Sequence, residues 1–86
     1  MSAYRVRLTN RAAKQLEELP DDVRSRVIAA LGAVAEDPHQ GVKLLGPLAG
    51  SRRYRVGDYR IVYQLDETDR VVVAENIRYR GHVYRR

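Results

Sequence analysis

Between Arg52 and Tyr63 the chain reads Arg-Arg-Tyr-Arg-Val-Gly-Asp-Tyr-Arg-Ile-Val-Tyr, with arginine alternating with apolar residues on both sides of a Gly57-Asp58 turn. Side chains on a β-strand point by turns to opposite faces. The spacing therefore predicts two strands that lay several guanidinium groups on one surface of a sheet, with Tyr54, Val56, Ile61 and Tyr63 turned toward a core. A guanidinium is permanently charged and forks its N–H donors in a way that suits phosphate oxygens. Such a surface is first of all a candidate site for an RNA or DNA backbone.

The charge distribution agrees. The 86 residues carry 16 Lys and Arg against 11 Asp and Glu, a formal net charge of +5. Seven basic and six acidic side chains fall in residues 1–51, and nine basic and five acidic fall in residues 52–86, so the excess is +1 in the first part and +4 in the second. A local basic excess attracts polyanions, and a strong preference for Arg over Lys favours specific phosphate contacts over a diffuse coat. The plainer reading of the same arginines is a solvated basic surface.

Several chemistries are excluded. With no cysteine there are neither disulfides nor thiolate metal ligands. His39 and His82 have no metal-ligand spacing, so no zinc site is expected. Gly41, Gly46 and Gly50 are spread through a connecting segment and match no nucleotide fingerprint, and no other cofactor is implied. Nothing is long and apolar enough to span a bilayer, and the opening Met1-Ser2-Ala3-Tyr4-Arg5 lacks the apolar run of a secretion signal, so a cytoplasmic location is expected.

The elements that must position the arginines are legible from periodicity. Tyr4-Arg5-Val6-Arg7-Leu8 alternates as a half-exposed strand does. Thr9 or Asn10 can cap a helix in which Ala12, Ala13, Leu16 and Leu19 keep helical spacing up to Pro20. Pro20 with Asp21 and Asp22 suits the opening of a second helix, whose apolar stripe is Val23, Val27, Leu31 and Val34, with Asp37-Pro38 as its stop. Residues 39–50 read as a loop, followed by strands over about 52–56, 59–66 and 70–78. Pairing Arg60 opposite Asn76 puts Ile61, Tyr63, Leu65, Val71, Val73 and Ile77 on the core face, and Arg60, Val62, Asn76 and Arg78 on the other. The expected fold is a single α+β domain over residues 1–86. A two-helix hairpin packs on one face of a small, mainly antiparallel four-stranded sheet in β-α-α-β-β-β order.

These residues resemble the RelE/ParE superfamily of bacterial type II toxin–antitoxin toxins. The resemblance runs through the first strand, the Leu19-Pro20 break, the Asp37-Pro38 stop, Lys43-Leu44-Leu45-Gly46 and Leu48-Ala49-Gly50. It is most specific in Arg55-Val56-Gly57-Asp58-Tyr59-Arg60-Ile61-Val62-Tyr63 and in the ending Arg80-Gly81-His82-Val83-Tyr84-Arg85. It implies a toxin neutralised by a cognate antitoxin protein, with which it forms a hetero-oligomer. RelE-like members act with the ribosome and cut mRNA there, whereas ParE-like members inhibit DNA gyrase, and the fold alone does not choose between them. A family member with no activity of its own is the third possibility.

Metal-free RNA cleavage has three needs. The 2′-hydroxyl must lose a proton, the phosphorane must be relieved of negative charge, and the 5′-oxygen must leave, usually by gaining a proton. Preorganised donors supply the second need, and removing one such donor costs about 2.7–4 kcal/mol. The RelE-like resemblance implies this role for Arg55 and Arg60, with Arg53 as a third member, Arg80 near the leaving group and Tyr84 as proton acceptor. Arg52, Arg53, Arg78 and Arg85 are expected to contact RNA. A free phenol has a pKa of about 10, and Arg80, Arg85 and Arg86 beside Tyr84 would favour its phenolate. Arg80 lies four residues before Tyr84, as in short-tailed relatives, and Arg78 lies six before it, as in longer ones. Some RelE-like members carry lysine at the positions of Arg53 and Arg55. Arginine there can stabilise charge but cannot act as a base.

Overall fold

The computed structural model describes residues 3–79. Strand β1 (Arg5–Leu8) leads into helices α1 (Asn10–Glu17) and α2 (Asp21–Glu36). Strand β2 (Val42–Lys43), a 3-10 turn (Gly46–Leu48) and strands β3 (Arg52–Val56), β4 (Tyr59–Asp66) and β5 (Val71–Tyr79) follow. Of the two capping candidates, Thr9 starts α1. Its backbone is extended, and its hydroxyl accepts from the Ala12 N–H at 3.1 Å, which satisfies one of the amides that a helix start leaves open. Pro20 stands at the cap of α2, and Asp21 and Asp22 occupy the first turn, where the helix dipole is positive. The stripe Val23, Val27, Leu31 and Val34 is buried, as its helical spacing predicts.

The strands form one sheet in the order β1-β5-β4-β3-β2, with β1 parallel to β5 and the other pairs antiparallel. Both helices pack on one face, giving the expected α+β architecture. The sheet has five strands where the sequence predicts four. The added one is β2, two residues inside the expected loop, where Val42 and Lys43 pair with Arg53 and Arg52. A two-residue segment is too short for alternation to reveal.

Tyr63 sits at the centre of the helix-facing side and is fully buried. Its hydroxyl donates to the Pro38 carbonyl at 2.8 Å and accepts from the Gly41 N–H at 3.1 Å, so it ties the segment after α2 to the sheet. Burial is the largest influence on this phenol and pushes its pKa up. A methyl group at Gly41 would collide with the Tyr63 hydroxyl.

The β4–β5 register corrects the sequence-based pairing. Arg60 lies opposite Arg78, not Asn76, and Asn76 lies opposite Val62. The cause is a β-bulge. Val62 pairs with Asn76 and Tyr63 with Ala74, which leaves Glu75 as an extra residue in β5. On the hairpin side of the bulge the alternation is inverted from the expected one. Val72 and Ala74 enter the core cluster with Ile61, Tyr63 and Ile77, while Val73 is half-buried opposite Gln64. Val71 is buried but pairs with Asp66. Alternation read along one strand assumes an unbroken pleat, and a single inserted residue reverses every face beyond it.

Candidate nucleic-acid interface

Opposite the helices, register decides which arginines meet. Arg55 of β3 lies across from Arg60 of β4, and Arg60 lies across from Arg78 of β5. Three guanidinium-bearing residues therefore form one rung across the sheet, on strands about 4.8 Å apart. Like charges placed directly opposite one another repel, and an incoming polyanion would relieve that repulsion. The next rung, Arg53, Val62 and Asn76, adds another guanidinium and an amide.

Beside these rungs lies a cleft of about 610 Å³. Arg53, Arg60, Val62, Glu75, Asn76 and Arg78 form its sheet wall. Thr9 and Arg11 at the start of α1 close one side, and Leu44 and Leu48 from the loop before β3 close another. Glu75 enters because of the bulge, which puts Glu75 and Asn76 in succession on the cleft wall. Two hydrogen bonds hold the bulge. The buried Ser51 donates its hydroxyl to Glu75 Oε1 at 3.1 Å, and Thr9 donates its hydroxyl to the Glu75 carbonyl at 3.3 Å. Gln15 of α1 braces the strand next to it: its amide nitrogen donates to Asn76 Oδ1 at 2.7 Å, and its amide oxygen accepts from the Ile77 N–H at 2.7 Å.

The structure thus brings Arg53, Arg60 and Arg78 to one cleft, with Arg55 exposed on the same rung but outside the cleft lining. Arg52 is different. It lies opposite Tyr63, on the core-facing parity of β3, and its Nη1 donates to the carbonyls of His39 and Gly41 at 3.0 Å each. That guanidinium pins the loop after α2. Arg80, Tyr84 and Arg85 lie outside the described residues. Sequence reasoning missed Arg11, Leu44, Leu48 and Glu75 as cleft residues. Only for Glu75 was there a local signal, an acid followed by Asn76 that interrupts the apolar run Val71-Val72-Val73-Ala74.

The groups with displaced pKa lie away from the cleft lining. The Tyr4 hydroxyl donates to one oxygen of Glu67, and His39 Nε2 lies 2.9 Å from the other. These two contacts, Tyr4 first, hold the Glu67 carboxyl below its ordinary value, while the same bond to Glu67 raises the Tyr4 phenol. Among the described residues, no cluster of three or more His, Cys, Asp or Glu is placed to hold a metal ion. None of the described helices is long and apolar enough to cross a membrane.

A family model described as the ParE toxin of the type II toxin–antitoxin system parDE matches residues 6–84. The chain belongs to this toxin family. Among curated relatives, Toxin RelG of Mycobacterium tuberculosis is 34% identical over 85 residues, covering 96% of this chain and 98% of that protein. Toxin RelE of the same organism is 33% identical over 84 residues, covering 95% and 87%. The solved toxin–antitoxin complex RelBE2 of M. tuberculosis contains a chain that superposes with a TM-score of 0.86 at 32% identity, covering 94% of this chain and 95% of that one. The archaeal RelE–RelB complex of Pyrococcus horikoshii gives 0.76 at 27% identity, covering 93% and 98%. The protein is therefore a RelE-like toxin of the RelE/ParE superfamily, with the α+β fold of the RelE structures.

Proposed function

We propose that this toxin is a ribosome-dependent mRNA endonuclease that cleaves message through attack of a 2′-hydroxyl on the adjacent phosphate, without a metal ion. The observation that carries the reading is the Arg55–Arg60–Arg78 rung beside a cleft that Arg53, Arg60 and Arg78 line. A scissile phosphate seated there meets donors fixed by the sheet, so charge that builds on the phosphorane is stabilised with little reorganisation. Arg80 near the leaving oxygen and Tyr84 as proton acceptor complete the scheme that the family resemblance implies. Relatives named RelG and RelE favour this branch.

Neutralisation follows from the same charges. Several solved RelE relatives are complexes with RelB antitoxins. The partner proposed for this chain is a cognate antitoxin whose carboxylates cover the arginines while an ordering segment buries apolar surface. Ribosomes and message place the work in the cytoplasm.

The test is a cell-free translation reaction supplied with purified toxin, with mRNA 5′ ends mapped by primer extension. Cuts that need ribosomes and disappear in Arg60→Ala and Tyr84→Phe are expected. The description of the matched family as ParE favours a second reading, inhibition of DNA gyrase without cleavage. Intact message together with blocked gyrase supercoiling would replace the first reading with the second. Normal growth on expression without a partner would mark an inactive member.

A further inference from the structure

A carboxylate is out of place in a cleft built to hold phosphate. Glu75 repels the backbone that Arg53, Arg60 and Arg78 attract, yet the fold goes to some length to put it there. An extra residue breaks the β4–β5 ladder, and Ser51 and Thr9 brace the result through the Glu75 carboxylate and carbonyl. The Ser51 hydroxyl, on a residue only 4% exposed, fixes Oε1 at 3.1 Å. A carboxylate offers about four lone-pair sites, so one bond leaves acceptor capacity for a ligand in the cleft.

The remaining walls suit a base better than a second phosphate. Leu44, Leu48 and Val62 give apolar surface against which a flat ring can lie, next to the arginines that would hold its phosphate. Within that frame the carboxylate has one natural use. Unstacked RNA bases are read by hydrogen bonds to their Watson–Crick edges, and acidic side chains accept from base N–H groups. Guanine alone presents two adjacent N–H donors on that edge, N1–H and the N2 amino group, and a carboxylate accepts both. Adenine and uracil each present a donor beside an acceptor, the pattern of an amide rather than of a carboxylate.

We infer that Glu75 is a specificity-determining residue that selects guanine as the nucleobase seated in the cleft against Leu44, Leu48 and Val62. This rests on the RNA-cleaving reading above, but it can be tested apart from cleavage. Glu75→Gln keeps size and the oxygen that Ser51 bonds, and it exchanges one acceptor for a donor. Selectivity should therefore turn from guanine toward adenine or uracil rather than simply vanish, whereas Glu75→Ala should leave no preference. A good bidentate contact discriminates by about ten- to a hundredfold, so the ratio of guanine to adenine should change by at least that order.

Two measurements apply to wild type, Glu75→Gln and Glu75→Ala, each first shown to be folded by thermal melting. One is the base composition at cut sites in ribosome-dependent cleavage. The other is the affinity for short single-stranded RNAs that differ only by guanine, adenine or uracil at one position. Reversal of preference in Glu75→Gln by either measurement supports the inference. Guanine-selective binding without any cleavage by wild type keeps the base-reading role and removes the nuclease reading. Cleavage by wild type and Glu75→Gln with the same cut-site composition and the same RNA affinities keeps the nuclease and overturns the inference. Absence of both cleavage and base selectivity in wild type overturns both.

Discussion

Replacing Arg55 and Arg78 together by threonine should weaken RNA binding while making the protein more stable. Each of these arginines faces Arg60 across the sheet, so the double substitution removes both like-charge neighbours of the rung and leaves Arg60 in place. Directly opposed side-chain pairs are worth about 0.2–1 kcal/mol each in either direction, so relief of two repulsions should raise stability by about 0.4–2 kcal/mol. Threonine is chosen because it fits a strand well and does not confound the comparison with poor β-propensity. For RNA the sign is opposite. Each phosphate contact to a single strand contributes about −0.7 to the slope of log affinity against log salt, so loss of two should make the slope shallower by about 1.4. Between 50 and 200 mM salt, wild-type affinity should then fall about sevenfold more than that of the variant. Fluorescence anisotropy with a labelled single-stranded RNA reads the slope, and urea unfolding at low salt reads the stability. An unchanged slope would show that Arg55 and Arg78 do not touch phosphate. A lowered urea midpoint would show that the favourable contacts of Arg55 and Arg78 outweigh their repulsion of Arg60. Either result refutes the argument that the rung exists for a polyanion.

Two further perturbations probe the scaffold. Tyr63→Phe removes the hydroxyl between the Pro38 carbonyl and the Gly41 N–H, leaves two buried polar groups unmet, and should destabilise by about 1–3 kcal/mol. Thermal melting reads it, and a melting temperature within 2 °C of wild type, roughly half or less of the shift for 1 kcal/mol in a domain this size, would contradict it. The Glu67 carboxyl should titrate below the ordinary glutamate value in an NMR pH series, and Tyr4→Phe should bring it back up. Because the folded-state pKa is the lower one, the stabilisation it reports is complete above the unfolded glutamate pKa and is lost as pH falls through the folded value. A Glu67 midpoint equal in wild type and Tyr4→Phe would show that the Tyr4 bond does not form in solution.

Much of this was readable along the chain, and the exceptions share one cause. Helix α2 announced itself because Val23, Val27, Leu31 and Val34 repeat at the helical period, and α1 because Thr9 precedes an apolar run that ends at Pro20. The β3–β4 hairpin was visible because alternation and the Gly57-Asp58 turn agree, with Gly57 at a φ of 58° that a tight turn requires. The register of β5 was not visible, since no local pattern counts residues across a bulge. The separate role of Arg52 was hidden for a related reason. Its neighbours Arg53 and Arg55 share its chemistry, but its parity is that of Tyr54, and the fold uses it to hold the His39 and Gly41 carbonyls.

By its sequence alone this chain determined a basic surface made of arginine, the two helices with their core stripe, and a toxin-family signature at Arg55–Tyr63 and Arg80–Arg85. Those properties are local, set by side-chain type and by periods of 2 and 3.6 residues. The tertiary structure decided which arginines meet, that Leu44, Leu48 and Arg11 join them, and that Glu75 stands among them. Such juxtapositions depend on strand register and on the docking of separate segments of the chain. Free energy fixes these through the packing of the whole core, and no window of the sequence contains that information.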